Sequence, residues 1–298
     1  IGNAGDNILN GVGGADVMIG LDGDDTYAID DLGDLVIDLE NQGNDLVLIY
    51  LSHTLSNGNQ IETLSTVFHQ GTDAINLGGN DYNNTLIGNY GANYLNGNGG
   101  VDVMIGLNGN DTYVIDNVLD QVVEGPGGGN DTVFSFVSYA LAAGQEIEFL
   151  STAVQSGTAA IGFQGNEFGQ TLVANNGGNT LDGGLGNDTL YGLGGVDLFA
   201  FRTTLGANNI DTIADFVHGI DKIGLDQNFF PGLPSSQGLN GTQFVVGTAA
   251  QDADDRIIYN QATGALFFDI DGTGSVAMVQ FATLSGSPLL TNSDFMIF

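Results

Sequence analysis

Large apolar residues recur every nine positions along three stretches of the chain, residues 2–28, 79–114 and 165–200. In each nine-residue unit, six residues rich in Gly, Asn and Asp precede three residues with a large apolar side chain in the middle. This pattern predicts a tight turn followed by a short β-strand with one inward side chain. The predicted inward positions are Leu9, Met18, Tyr27, Leu95, Met104, Tyr113, Leu181, Leu190 and Phe199.

Two such units together predict one coil of 18 residues, with a strand on each face and a turn on each side. Coils stacked at about 4.8 Å pair strand on strand in parallel. A single coil cannot bury its own apolar face, whereas a stack of coils buries a continuous core. The pattern therefore predicts an all-β fold, a parallel β-solenoid.

A longer period of 86 residues is superimposed on the short one. Its copies span residues 2–87 and 88–173, and a third copy starts at residue 174 and diverges after residue 200. Repetition at this scale is typical of solenoid proteins. We therefore predict that residues 1–200 form the solenoid domain.

The segments between the nonapeptide blocks, residues 29–78 and 115–164, align with each other without a gap. They contain further units of the same kind, such as residues 40–48, so we expect the solenoid to continue through them in wider coils. Two alternating stretches, residues 45–55 and 131–141, predict longer strands.

The charge balance is extreme: 36 acidic residues face three basic ones, which gives a formal net charge of −33. The basic residues are Arg202, Lys222 and Arg256, so the predicted solenoid contains none. A compact state with this charge repels itself unless cations come from outside the chain. The scarcity of Lys and Arg argues against a nucleic-acid partner and an anionic membrane surface, and no apolar run is long enough for membrane insertion. Cys is absent, so the chain has no disulfides and no thiolate chemistry.

The carboxylates at the sixth position of the units are candidate metal ligands. Residues 18 apart lie on the same edge of the solenoid, one coil above the other, where unneutralised aspartates would repel each other. Ca²⁺ removes this repulsion and binds six to eight carboxylate and carbonyl oxygens. We therefore predict that several Ca²⁺ ions bind to Asp16, Asp25, Asp34, Asp45, Asp102, Asp111, Asp120, Asp131, Asp188 and Asp197.

The unit GGLGNDTLY, residues 183–191, fits every position of the pattern GGxGxDxUx and resembles the nonapeptide of RTX (repeats-in-toxin) proteins. The resemblance implies a right-handed parallel β-roll with Ca²⁺ between neighbouring turns. It also implies that backbone carbonyls at the early glycines complete the sites, which adds Gly14, Gly23, Gly100, Gly109, Gly186 and Gly195 to the candidate ligands. Units with Asn or Gln at the sixth position depart from the pattern and either bind calcium weakly or are held by side-chain hydrogen bonds.

Residues 201–298 change in character and predict a C-terminal β cap on the solenoid. Residues 209–226 contain two Asp-aliphatic segments that we expect to form terminal coils. Residues 265–281 alternate around an Asp-Gly turn and predict a hairpin. In this hairpin Asp269 and Asp271 form either a further calcium loop or an ordinary turn.

The chain ends in DFMIF, and no basic-then-apolar signal stands at its start. Together with residues 252–260 and 279–286, this ending resembles the C-terminal domain of RTX proteins exported by type I secretion, in which the uncleaved signal lies in the last several dozen residues. The resemblance implies a type I exporter as a partner. The alternative is that the final strand only caps the solenoid.

The sequence contains no HExxH, GxSxG or Walker motif, and His53, His69 and His218 are not at metal-ligand spacing. We therefore expect a non-catalytic bacterial protein, secreted or on the cell surface, that folds on Ca²⁺ and could self-assemble there as an S-layer, adhesin or filament. The alternative is a calcium-folding export module behind a secreted hydrolase domain that lies upstream.

Overall fold

Short β-strands carry nearly all the regular structure of this computed structural model, which describes residues 1–39, 42–234 and 238–298. The helices of this described part are two 3₁₀ turns, Gly241–Gln243 and Asn292–Asp294. Neither is long or apolar enough to cross a lipid bilayer. The all-β prediction is confirmed. The first two residues of the unit 40–48 lie outside the described residues.

Contacts divide the chain into two compact units. Unit 1 contains Ile1–Val137 and Gly144–Ile147, and unit 2 contains Ser138–Ala143 and Glu148–Phe298. In both units the strands of successive coils pair in parallel, as the stacking of nonapeptides predicts. The division into a solenoid domain at residues 1–200 and a cap at residues 201–298 stays a prediction.

Unit 1 contains fourteen strands: β1 (Ile8–Asn10), β2 (Val17–Ile19), β3 (Thr26–Ile29), β4 (Leu35–Ile37), β5 (Leu46–Ile49), β6 (His53–Thr54), β7 (Thr63–Thr66), β8 (Leu77–Gly78), β9 (Thr85–Ile87), β10 (Tyr94–Asn96), β11 (Val103–Ile105), β12 (Thr112–Ile115), β13 (Gln121–Val123) and β14 (Thr132–Ser135). The odd-numbered strands form one parallel sheet in the order β1-β3-β5-β7-β9-β11-β13. Strands β6, β8, β10, β12 and β14 form the opposite face, and β2 pairs with β4. Each coil therefore contributes one strand to each face.

The middle apolar residue of each strand stacks on its counterpart in the next coil. One such stack contains Leu9, Tyr27, Val47, Leu64, Leu86, Met104 and Val122. A second contains Leu77, Leu95, Tyr113 and Val133. All are buried except Leu9, which is half-buried in the first coil. The predicted inward positions are thus the core of the unit.

Coil length varies as the long repeat predicts. Register partners in the nonapeptide block are 18 residues apart at Ile8 and Thr26, but 22 residues apart at Thr63 and Thr85. The prediction of longer strands is wrong. Residues 45–55 split into β5 and β6 around a bend, because each coil must turn a corner to place its strands in two different sheets.

Unit 2 contains β15 (Tyr139–Ala140), β16 (Phe149–Thr152), β17 (Gly162–Gln164), β18 (Thr171–Val173), β19 (Thr180–Asp182), β20 (Thr189–Tyr191), β21 (Leu198–Phe201), β22 (Asp211–Ile213), β23 (Lys222–Leu225), β24 (Phe244–Val246), β25 (Ile257–Asn260), β26 (Ala265–Phe268), β27 (Val279–Leu284) and β28 (Phe295–Ile297). One sheet follows the order β15-β17-β19-β21-β23-β28, and the other runs β16-β18-β20-β22-β27-β26-β25-β24. Its cores repeat the stacking of unit 1, with Leu172 on Leu190 and Leu181 on Phe199.

The end of unit 2 closes the stack of coils. Strands β22 and β23 pair in parallel with β20 and β21, so residues 209–226 do continue the stack, as one further coil with a strand on each face. Strands β26 and β27 are antiparallel, which confirms the predicted hairpin. The last strand, β28, pairs with β23 and covers its free edge.

Candidate calcium sites

Side chains at the sixth position form columns along the edges of the coils. In each column a carboxylate Oδ1 accepts the backbone N–H of the sixth residue one coil earlier, as Asp111 does from Asn93 and Asp131 does from Asp111, both at 2.7 Å. The same contact runs through Asn7–Asp25–Asp45, Asp16–Asp34, Asn84–Asp102–Asp120, Asn93–Asp111–Asp131, Gln170–Asp188–Asp211 and Asn179–Asp197–Asp221. The aspartates in these series are the column carboxylates. The contact fixes the orientation of each one.

The second oxygen of several column carboxylates has no hydrogen-bond partner. Within the described part of the chain this applies to the buried Oδ2 atoms of Asp25, Asp45, Asp102, Asp111 and Asp188. Burying a charged oxygen without a partner is costly, so these atoms call for a cation. An all-oxygen donor set of carboxylates and nearby turn carbonyls fits Ca²⁺.

Glycines make room for these oxygens and bring the turn backbones together. A Cβ on Gly192, at the first position of its unit, would lie 2.6 Å from Asp197 Oδ2. Gly109, at the fourth position, has φ 129°, and a Cβ there would overlap the Gly91 carbonyl of the coil before. All the glycines implied as ligands share this left-handed backbone: Gly14, Gly23, Gly100, Gly109, Gly186 and Gly195. Their role as carbonyl ligands stays a prediction.

The second position of the same units carries backbone strain. Leu107 has φ 80° and Leu193 has φ 64°, in a region that side chains other than Gly rarely adopt. Such strain costs on the order of 1–3 kcal/mol per residue and persists only where the surroundings compensate. The sixth residue of each of these two units is an aspartate, Asp111 or Asp197. The backbone strain therefore occurs in turns that contain a column carboxylate.

Two groups of three acidic residues bring their carboxylate oxygens within 4.8 Å of one another, Asp25–Asp38–Asp45 and Asp111–Glu124–Asp131. Asp38 and Glu124 are not sixth-position residues, and the sequence analysis missed them. The signal in the sequence is their separation of 86 residues, which repeats an acid at the same place in two copies. It also missed Asp211 and Asp221, which continue the last two columns.

Burial is the largest cause of the pKa shifts of the buried acids in and beside the columns. It raises the pKa of Asp111 to about 7, with the charge of Asp131 adding to the effect. Burial likewise raises the pKa of Asp102 to about 7, with a contribution from Asp120, and that of Glu124 to about 8. These groups are therefore reluctant to ionise in the folded chain without a cation, and a divalent ion would supply the missing charge.

Turns with Asn or Gln at the sixth position are held by side-chain hydrogen bonds. Asn93 Oδ1 accepts the Asn89 N–H at 2.8 Å, and its Nδ2 donates to the Ile75 carbonyl at 2.8 Å. Asn179 Nδ2 likewise donates to carbonyls of its own turn. The second position of these units is also Asn, and its Oδ1 accepts the N–H two residues on, as Asn89 does from Gly91. The amide group thus satisfies the turn without a metal ion.

Asn93→Asp is expected to lower the free energy of unfolding at a fixed, limiting calcium concentration by about 1–3 kcal/mol. The substitution removes the Nδ2 hydrogen bonds and places another buried carboxylate beside Asp111. Urea unfolding followed by circular dichroism measures the change. The matched control is Asn108→Asp, the same change of charge at an exposed turn position. Equal losses in the two variants would contradict the role given to the Asn93 amide.

The loop with Asp269 and Asp271 is organised by its own hydrogen bonds. Asp271 Oδ2 accepts the N–H groups of Ser275 and Val276 at 2.9 and 3.1 Å, and Asp269 Oδ1 accepts the Asp271 N–H. In the described residues no third acidic group gathers with this pair. The N–H contacts are typical of a turn, although Asp271 Oδ1 is buried without a partner among the described residues. A calcium loop at Asp269 and Asp271 stays a prediction.

Comparison with protein families agrees with this geometry. A family model described as RTX calcium-binding nonapeptide repeat (4 copies) matches residues 1–28, 78–113 and 164–199. No curated protein matches the chain significantly. The matched segments are the ones that contain the nonapeptides. The family match and the buried carboxylates therefore both indicate Ca²⁺ binding.

Proposed function

We propose that this chain, whose RTX calcium-binding nonapeptides fold as a parallel β-roll, is the calcium-folded part of a structural protein that a type I system secretes. The whole protein would act outside a bacterial cell or on its surface, as S-layers, adhesins and filaments do. The 86-residue repetition supports this role, because an export tail alone needs few coils. Its partners would be Ca²⁺, the exporter and further copies of itself.

The observation that carries the calcium function is a set of buried carboxylates without internal cations. Arg202 Nη1 lies 3.9 Å from Asp182, and Lys222 Nζ donates to the Ser293 carbonyl. Arg256 donates to the carbonyls of Ala253 and Asp255. In the part of the chain that the structure describes, no Lys or Arg forms an ion pair with a column carboxylate. The neutralising charge must therefore come from solution.

The histidines support a non-catalytic role, which is general for this repeat family. His69 Nε2 lies 2.9 Å from Ser65 Oγ, an arrangement that superficially resembles an activated nucleophile. In the second copy Gln155 Nε2 donates to Ser151 Oγ at 3.2 Å in the same place. Because a glutamine amide makes the same contact, the contact serves the turn and needs no proton transfer.

Calcium would also decide where the chain folds. Extracellular calcium modules bind at about 10⁻⁴–10⁻³ M, well above cytosolic calcium. Inside the cell the chain would then stay unfolded, because repulsion keeps its carboxylates apart. Outside the cell, Ca²⁺ would bind between the column carboxylates, and the free energy of binding would stabilise the folded state.

Asp111→Ala tests the calcium assignment at a single ligand. It removes a carboxylate from the middle of the column between Asn93 and Asp131, so the calcium concentration at mid-folding is expected to rise roughly ten-fold, with weaker cooperativity. Circular dichroism during a calcium titration measures both quantities. Asp81→Ala, the same change at an exposed residue, and His53→Ala should change neither. Similar shifts in Asp111→Ala and Asp81→Ala would sink the assignment.

A further inference from the structure

We propose that each of the first two 86-residue copies contains one calcium site of a second kind, in which a third carboxylate joins two column carboxylates. The sites are Asp25–Asp38–Asp45 and Asp111–Glu124–Asp131, here called the three-acid sites. The inference rests on the proposed calcium function and adds an order of binding to it. Asp38 and Glu124 lie outside the segments that the nonapeptide model matches.

Oxygen atoms without partners converge in these sites. All six acidic side chains are buried; Asp38 is 0% exposed and Asp111 is 1% exposed. In the described part of the chain, Asp38 Oδ1 and Glu124 Oε2 accept no hydrogen bond, and neither do Asp25 Oδ2 and Asp111 Oδ2. An acidic group that only shaped the turn would use both oxygens to accept nearby N–H groups, as Asp294 does from Gly219 and Thr291.

A tyrosine positions the third acid. Tyr113 O–H donates to Glu124 Oε1 and leaves Oε2 free, and Tyr27 O–H donates to Asp38 Oδ2 and leaves Oδ1 free. A glycine provides the space: a Cβ on Gly106 would lie 2.6 Å from Glu124 Oε1 and would overlap the Tyr113 hydroxyl. The hydroxyl therefore orients the acid with one oxygen towards the column.

The third copy supplies a comparison within the chain. Phe199 stands where the first two copies have Tyr27 and Tyr113, so the phenol hydroxyl is missing there. The third copy diverges after residue 200, and an acid that lies near its column carboxylates is Asp215. Asp215 uses both oxygens on the backbone, because they accept the Gly192 and Leu193 N–H groups at 3.0 and 2.9 Å. In the first two copies, by contrast, the hydroxyl and an acid with a free oxygen occur together.

Three carboxylates set these sites apart in charge. The other column pairs, such as Asp102–Asp120, present two negative charges to an ion, and the three-acid sites present three. Calcium affinity rises with the number of charged ligands. We therefore expect the three-acid sites to bind Ca²⁺ roughly ten-fold or more tightly than the column pairs and to fill first. They would start the stacking of coils in their copies.

Terbium luminescence tests the proposal, because Tb³⁺ takes calcium sites and a nearby phenol sensitises its emission. The Tyr27 and Tyr113 hydroxyls contact the third acids, whereas the third copy has Phe199 in this place. Titration of the full chain with Tb³⁺ is expected to show a tight luminescent phase of two ions, and Ca²⁺ should compete for it. Tyr27→Phe/Tyr113→Phe should remove most of the emission of this phase.

Variants of the third acid decide the outcome. Glu124→Gln should remove about half of the tight phase, and Asp38→Asn/Glu124→Gln should remove all of it, while both variants still fold at saturating Ca²⁺. The matched control is Asp73→Asn/Asp81→Asn, the loss of two charges at exposed positions, which should leave the tight phase intact. A tight phase that survives in Asp38→Asn/Glu124→Gln would overturn the three-acid sites alone. A wild-type chain that binds no Ca²⁺ would overturn the proposed function as well.

Discussion

Removing calcium with an excess of chelator is expected to unfold the chain almost completely. The folded coils bury column carboxylates such as Asp102, Asp111 and Asp188 with unpartnered oxygens, on a chain of formal charge −33. Each coil contacts mainly its neighbours, so loss of the ions between coils should spread along the stack. Far-UV circular dichroism in chelator should show loss of the β signal, and added CaCl₂ at about 10⁻⁴–10⁻³ M should restore it.

Two salts separate specific binding from screening of charge. Sodium chloride at equal ionic strength weakens the repulsion between exposed charges but cannot bridge two carboxylates. Magnesium demands a smaller octahedral shell and gives up its water reluctantly, so it should restore little structure. Full refolding in sodium chloride would show that net charge alone governs folding. A β signal that persists in chelator would contradict calcium-dependent folding outright.

The nine-residue pattern correctly predicted the features that depend only on the residues within one unit. The apolar residue in the middle of each short strand became the buried stack, as Met104 and Leu95 show. The sixth-position aspartates became the columns, because the turn and strand have nearly constant length in the nonapeptide blocks. Where both the period and the residue types persist, the strands, the core and the position of the column carboxylates follow from the sequence.

The parts that the sequence did not predict lie where the period breaks. Asp211 and Asp221 follow their column neighbours by 23 and 24 residues, so the 18-residue spacing could not align them. Asp38 and Glu124 sit where the distance to the next column carboxylate grows to 20 residues, as between Asp25 and Asp45. Insertions change the position in the turn from which a side chain reaches the column, and only the folded chain shows which side chain arrives there.

The sixth position is an amide in some turns and an acid in others, and the two side chains satisfy the turn differently. An Asn side chain carries its own donors, so the Asn93 turn is satisfied by Asn89 and Ile75. An Asp side chain has only acceptors, so the Asp111 turn needs a cation. Each 86-residue copy therefore begins with one Asn turn, and the proposed calcium sites lie at the aspartate turns that follow it.

Deleting residues 239–298 is expected to abolish export from a host that carries a matching type I exporter. A type I channel passes unfolded chains, and a C-terminal signal would leave the cell first, where Ca²⁺ could fold the closing coils and hinder return. The deletion also removes β27 and β28, which cover β22 and β23, so retention alone could reflect instability. The matched experiment therefore grafts residues 239–298 onto an unfolded passenger protein, which should appear in the medium only with the graft and the exporter. A truncated chain that still reached the medium at full yield, or a grafted passenger that stayed inside, would show that residues 201–298 only cap the solenoid.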